Sequence, residues 1–586
     1  LTVDPLAEGL YATTMESVVE QIRRPAHRCR SCDRRTRAEI DAMKRLLVLA
    51  CLLGAAQSAD AQQRTFTRAD TLRGSITPER AWWDVAFYDL HVRVSPADSS
   101  IRGVNGITYR VTGPSREMQV DLQAPLVADS VVQDGRVLAT RREGNVLYVT
   151  PAAAQQTGSV RTVSIHYHGR PRVAQNAPWD GGFVWARDSL GNPWVATAVQ
   201  GLGASAWWPT KDTQADEPDS QRVAITVPTG MTDVSNGRLR STTPNGDGTT
   251  TYEWFVQNPI NNYGVSVNAG SYAHFSDVYQ GEAGALTLDF WPLAYHEAAA
   301  RAQFAQARPM LACFEHWFGP YPWYADGYKL VETPHLGMEH QSAVAYGNQY
   351  HNGYLGRDLS GTGEGMSWDY IIIHESAHEW WGNNLTTADI ADMWVHEAFA
   401  MYAEALYVEC QSGRAAGGRY VTGVRRAIRN DAPIIGAYGV QDEGSGDMYY
   451  KGANMLHTIR QLVNDDERWR GILRGLQSTF RHQIVTGRQV QEYMSAQSGI
   501  DLSRVFQQYL TTTRVPTLEY SLGGGELRYR WTDVVPGFDM PVRVGVGPTD
   551  SRLLRPTEAW QSTPVTIDAA SEVTVDRNYY VRAAPR

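Results

Sequence analysis

Cysteine is scarce in this chain: five in 586 residues, at positions 29, 32, 51, 313 and 410. That is too few for a disulfide-built scaffold, and Cys29-Arg30-Ser31-Cys32 has no second pair to complete a thiolate metal cluster. Long apolar runs are missing too. The longest, Leu46 to Ala56, is eleven residues, against the roughly 20 a membrane-spanning helix needs. Nor is there an excess of basic charge: 54 Lys and Arg against 63 Asp and Glu leave a net −9, which gives no footing for nucleic acid. Internal repeats and low-complexity tracts are absent. With 42% hydrophobic residues, what remains is an ordinary globular composition, and the length predicts three or four domains.

The eleven-residue run has a meaning of its own. It follows Met43-Lys44-Arg45 and precedes Ala59-Asp60-Ala61, the order of a charged lead, an apolar centre and a small-x-small cleavage site. Residues 43–61 therefore read as a signal peptide, with the mature chain starting near Gln62 and a periplasmic or secreted destination. Residues 1–42, rich in arginine and preceding a complete signal with its own methionine, read as an over-extended gene product. A lipidated Cys51 fits less well, because the apolar run continues past it. Cys313 and Cys410 remain in the mature chain, and sequence alone does not settle whether they pair.

The chemistry is concentrated between residues 374 and 397. His374-Glu375-Ser376-Ala377-His378 places two histidines four apart, on one face of a helix, within reach of one Zn²⁺. Glu397, nineteen residues after His378 in Trp394-Val395-His396-Glu397-Ala398-Phe399, supplies a third, oxygen ligand from a second helix. Three ligands leave a fourth position open, which is the signature of a catalytic zinc rather than a structural one, with one ion per chain. Glu375 lies beside that position, suited to take a proton from an attacking water. The five-residue pattern arises by chance in roughly one sequence in fifty of this length, and the glutamate at a fixed spacing cuts that about twentyfold. The apolar flanks Ile371-Ile372-Ile373 and Trp380-Trp381 suit a core-facing helix. A metzincin arrangement is excluded, because Trp381 and Asn384 stand where it needs glycine and histidine.

Around this centre the periodicity changes twice. Short alternating runs separated by turn residues, among them Tyr88 to Val94, Val160 to Tyr167, Arg222 to Pro228 and Tyr263 to Asn268, predict an N-terminal antiparallel β domain over 62–275. Helical spacing from His296 to Phe318, and again from Trp368 to Leu510, predicts a mainly helical catalytic domain over 276–513. Strand patterns return at Glu526 to Trp531, Pro541 to Val546, Val573 to Val575 and Tyr579 to Arg582, giving a small β-sandwich over 514–586. The fold class is multi-domain α+β.

Three further segments carry a resemblance: Leu336-Gly337-Met338-Glu339-His340, Tyr449-Tyr450-Lys451-Gly452, and Gln200 in the β domain. With the zinc motif, their order and spacing resemble the zinc aminopeptidase family of aminopeptidase N and the bifunctional leukotriene hydrolase, the gluzincins. The resemblance spans the mature chain and implies a saddle-like β domain, a thermolysin-like catalytic domain and a β-sandwich. It implies that Glu339 and Gln200 bind a substrate's free α-ammonium, that the segment with Gly337 and Met338 runs along the peptide, and that Tyr449 donates to the oxyanion. Peptides with a free N-terminus are the implied partners, and stable membrane insertion is not expected. The family's first glycine is Leu336 here and its asparagine is His340, so this edge is expected to differ in shape. His396, about 100° round the helix from Glu397, reads as a residue that supports the ligands or the fold and not as a zinc ligand. His335 and Gly444 fall where relatives line the first specificity pocket. The rivals are a zinc endopeptidase, which an ammonium cage would obstruct, an epoxide hydrolase, and a binding protein that has lost its chemistry.

Overall fold

Strand β1, Trp83–Ser95, buries Trp83 and Val85, then Tyr88, Leu90, Val92 and Val94. The alternation slips by one residue because a bulge between Val85 and Phe87 resets the register against the next strand. The computed structural model describes residues 65–547, 550–566 and 572–586; the expected leader and signal peptide lie outside the described residues. Strands β1, β2 (Ser100–Val111), β3 (Val160–Gly169) and β5 (Ser220–Pro228) belong to an eight-stranded sheet ordered Arg238–Pro244, Thr249–Val256, β5, β1, β2, β3, Val127–Gln133, Arg136–Val137. Strand β4, Pro193–Ala198, lies in a separate four-stranded sheet and leads directly into Gln200.

Two expectations for this region need correction. The eight-stranded sheet is not wholly antiparallel, since β1 and β5 pair in parallel from Phe87 with Ser220 to Arg93 with Thr226. Tyr263 to Asn268 is not a strand: the Asn261 side chain accepts from the Tyr263 amide at 3.1 Å and starts a 3-10 turn over Asn262–Gly264, leaving only Asn268–Gly270 extended.

A five-stranded sheet follows, ordered β6 (Phe275–Gly281), β7 (Gly284–Trp291), β8 (Tyr328–Glu332), β10 (Val344–Tyr346) and β9 (Gly337–Met338). The pairs β7–β8 and β8–β10 are parallel, and β9 is an edge strand joined on one side to β10. The helix expected over 296–318 is broken by a 3-10 turn at Phe304–Gln306. The cause is Pro309, which has no amide hydrogen to bond back four residues and so must sit in the first turn of a new helix, Ala307–Phe318.

Beyond it lie Tyr370–Ala377, Trp394–Ser412 and Asp447–Val463, labelled α2, α3 and α4, with α1 denoting Arg68–Gly74 near the start of the described chain. Asp369 caps α2 by accepting from the amides of Ile371 and Ile372 at 3.0 and 3.3 Å. The helix stops at Ala377, so Trp380 and Trp381 lie in the following turn, where Gly382 takes φ +124°. Cys313 and Cys410 are bonded, with α-carbons 6.1 Å apart, tying Ala307–Phe318 to the far end of α3.

The chain ends in a four-stranded and a three-stranded sheet between Thr517 and Pro585. The strand expected over 579–582 falls at Arg582–Pro585, because Asp576 accepts from the Asn578 amide at 2.9 Å and holds residues 576–579 in a turn. From Thr67 to Arg586 the chain is one compact unit, and the apolar core of the helices continues into these last sheets through Leu518, Trp531 and Val542.

Candidate active site

Helices α2 and α3 bring His374, His378 and Glu397 together, with one ligand-type atom from each lying within 4.8 Å of the others. Glu397 Oε2 stands 3.6 Å from His374 Nε2 and 3.4 Å from His378 Nε2. All three residues are buried.

The outward ring atoms fix what the inward ones do. His374 Nδ1 is 2.6 Å from Glu404 Oε1, and His378 Nδ1 is 2.8 Å from the Trp381 carbonyl oxygen. Both of those oxygens are acceptors, so each Nδ1 carries a hydrogen and each Nε2 is the ring nitrogen left to face Glu397 and a metal. Tyr420 steadies Glu404 from behind, its hydroxyl donating to Oε2 at 2.6 Å.

These residues fit a zinc ion. Glu397 Oε2 is buried with no hydrogen-bond partner, an arrangement that is costly unless a cation completes it. Burial alone would raise the Glu397 carboxyl, but the imidazoles of His378 and His374 outweigh it and hold the group well below the usual carboxylate range. For His374, burial works against the charged form, and the carboxylates of Glu397 and Glu404 reverse the sign and raise it well above normal. The cluster is therefore rich in negative charge and suited to a dication.

Glu375 projects from the same helix. Burial first, and then the neighbouring Glu339 and Glu397, push it up to about 7, with His374 and His378 opposing. Gly337 on the edge strand β9 lies directly against it: a β-carbon added there would fall 2.8 Å from Glu375 Oε1. Met338 beside it is buried and packs with Ala198 and Ala345.

Glu339 and Gln200 meet across the two sheet regions. The Gln200 amide donates to Glu339 Oε1 at 2.5 Å and lies 3.4 Å from Glu397 Oε1. Burial raises the Glu339 carboxyl, against the pull of His378. Its backbone is held by Asn383, which donates to the Glu339 carbonyl at 3.0 Å. Tyr449, in the first turn of α4, stacks on His374 with ring centres 6.1 Å apart; burial and then the carboxylates of Glu397 and Glu339 raise its phenol well above normal. All nine residues singled out in the sequence thus gather at one place.

His396 points away, its Nε2 3.1 Å from the Thr387 amide. His335 and His340 are buried, and burial lowers them to about 4 and about 3. Three residues escaped the sequence reading. Glu404 lies seven residues after Glu397, hence on the same helix face, and a carboxylate inside the apolar run of α3 was the available signal. Tyr420 had none. Tyr263, raised first by burial and then by Glu339 and Glu397, sits in the segment expected to be a strand.

Residues 303–509 match the peptidase family M1 domain. Among curated proteins, aminopeptidase B of Rattus norvegicus is 24% identical over 415 residues, covering 65% of this chain and 56% of that protein. Probable aminopeptidase 1 of Sulfurisphaera tokodaii is 21% identical over 372 residues, covering 60% of this chain and 44% of that protein. The chain thus spans about half the length of these relatives. Among solved structures, an M1 zinc metallopeptidase from Deinococcus radiodurans aligns with a TM-score of 0.64 at 20% identity, covering 74% of this chain and 96% of its own. A mutant M1 zinc metallopeptidase from that organism, bound to a Tyr-Ser-Ala substrate, aligns at 0.65 and 21%, covering 76% and 98%. The metal-ligand triad and the glutamate beside it all fall within the stretch that matches the peptidase family M1 domain.

Proposed function

We propose that this chain is a zinc-dependent aminopeptidase that removes single residues from the free N-terminus of peptides. The observation that carries the reading is the meeting of Gln200 and Glu339 beside the triad. A buried carboxylate oriented by a neighbouring side-chain amide is the chemistry that captures an ammonium group, and its fixed place beside the metal ligands measures one residue from the chain end.

His374, His378 and Glu397 would hold the zinc, which when bound supplies Lewis-acid polarisation of the scissile carbonyl and lowers the pKa of the attacking water. Glu375 takes a proton from that water and passes it to the leaving amine as the C–N bond breaks, a shuttle that suits a group with a pKa near neutrality. Tyr449, kept protonated by burial and by the carboxylates around it, donates to the oxyanion that develops on the former carbonyl oxygen. The open edge of β9 offers main-chain groups to the peptide, and Gly337 leaves room for Glu375.

Export to the periplasm or secretion belongs to the same proposal. Its support is the signal-like segment 43–61 and a disulfide between Cys313 and Cys410, a bond that persists in oxidising compartments. Among the described residues no helix is long and apolar enough to cross a membrane.

The test of the ammonium site is Glu339→Ala. Losing a charge-assisted contact of roughly 2–4 kcal/mol should lower kcat/KM by about 30- to 1000-fold while zinc content stays at one per chain. Unchanged kcat/KM would remove Glu339 from substrate binding.

A further inference from the structure

Between Ile428 and Gly446 the chain runs without helix or strand, and this stretch leads straight into α4 and Tyr449. Its tip, residues 438–441, reaches away from its own helix and touches both of the other parts that build the site. On one side the Tyr438 hydroxyl donates to Asp392 Oδ1 at 2.8 Å and the Gly439 amide donates to Asp389 Oδ2 at 2.8 Å, in the turn just before α3 and Glu397. On the other, Val440 lies flat against Gly74 at the end of α1, where an added β-carbon would fall 2.3 Å from the Val440 carbonyl carbon. Beside it the Gln441 side-chain amide donates to the Gly201 carbonyl at 2.7 Å.

Gly201 is the neighbour of Gln200. The turn that presents Gln200 is closed within itself by the Gly203 amide donating to the Val199 carbonyl at 2.7 Å, and from the β domain by the Gln123 amide donating to the Leu202 carbonyl at 2.9 Å. Gln441 adds a tie from the helical side. Open space flanks this contact: two cavities, the larger of about 580 Å³, are both lined by Arg73, Gly201 and Gln441.

We infer that Gln441 is a positioning residue for substrate recognition: through the Gly201 carbonyl it holds Gln200 against Glu339, so the segment that carries Tyr449 also sets the ammonium site. The inference rests on the proposed aminopeptidase reading, in which Gln200 helps bind the substrate ammonium. Gln441 itself touches no reacting atom. Its loss should therefore weaken binding and leave the chemical step alone.

The experiment is a double-mutant cycle on the full zinc-loaded enzyme: native protein, Gln441→Ala, Gln200→Ala and the double variant, each assayed for kcat and KM on the aminoacyl coumarin amide that the native protein cleaves best. Gln441→Ala should raise KM about three- to tenfold, the loss of one hydrogen bond, with kcat within about twofold and zinc content unchanged. Gln200→Ala should raise KM as well, and adding Gln441→Ala to it should change KM by less than about twofold, because the two act as one unit. If Gln200→Ala raises KM but Gln441→Ala does not, or if the two effects multiply, the inference is overturned and the aminopeptidase reading stands. If Gln200→Ala leaves KM unchanged, the role of Gln200 in that reading falls, and the inference with it.

Discussion

At the scale of single residues, the proposed mechanism separates holding the metal from moving the proton. Glu375→Gln keeps the size and burial of the side chain but removes the proton acceptor, so zinc measured by elemental analysis should stay at one per chain while kcat drops at least about 10²-fold. Tyr449→Phe should show the same split, with kcat falling far more than KM changes. Glu404→Ala should do the reverse. It frees His374 to turn or change tautomer, and zinc affinity measured against a chelator should fall about 10- to 100-fold. The gathering of His374, His378, Glu397 and Glu375 was legible in the sequence because zinc chemistry demands fixed spacing on helices. Glu404 and Tyr420 were not, since a carboxylate or phenol that only orients a ligand is recognised by where its partner ends up.

At the scale of elements, most of the fold follows from periodicity, and the departures have local causes. Asn261 and Asp576 turn the chain where alternation alone predicted strands, and Pro309 divides a helix whose apolar spacing runs on. The parallel pairing of β1 with β5 could not be read at all, because strand neighbours far apart in sequence leave no local pattern. The disulfide is likewise a matter of tertiary placement. It closes a loop with a sequence separation of 97 that contains Glu339, both histidines, Glu375 and Glu397. Cross-linking a loop of that length removes denatured-state entropy worth about 4–5 kcal/mol in the chain-entropy description. Replacing both cysteines with serine should therefore lower the thermal midpoint by several degrees, read by circular dichroism. Edge strand β9 yields a second expectation: in Gly337→Ala the new methyl displaces Glu375, and kcat should fall by an order of magnitude or more, about what a misplacement of 1 Å costs.

At the scale of the whole molecule, a β region supplies Gln200, the edge of the five-stranded sheet supplies Gly337 and leads into Glu339, and the helical region supplies the three metal-site residues, Glu375 and Tyr449, with the stretch before Tyr449 clasping the parts. The central claim is that this arrangement measures from a free amine. The direct measurement is to incubate the zinc-loaded enzyme with one peptide in two forms, free and N-acetylated, and to identify products by mass spectrometry. The account predicts that the free form loses residues one at a time from its N-terminus and that the acetylated form, with no charge for Glu339 to hold, stays intact. Efficient internal cleavage of the acetylated peptide would contradict it, leaving a zinc peptidase whose specificity lies elsewhere.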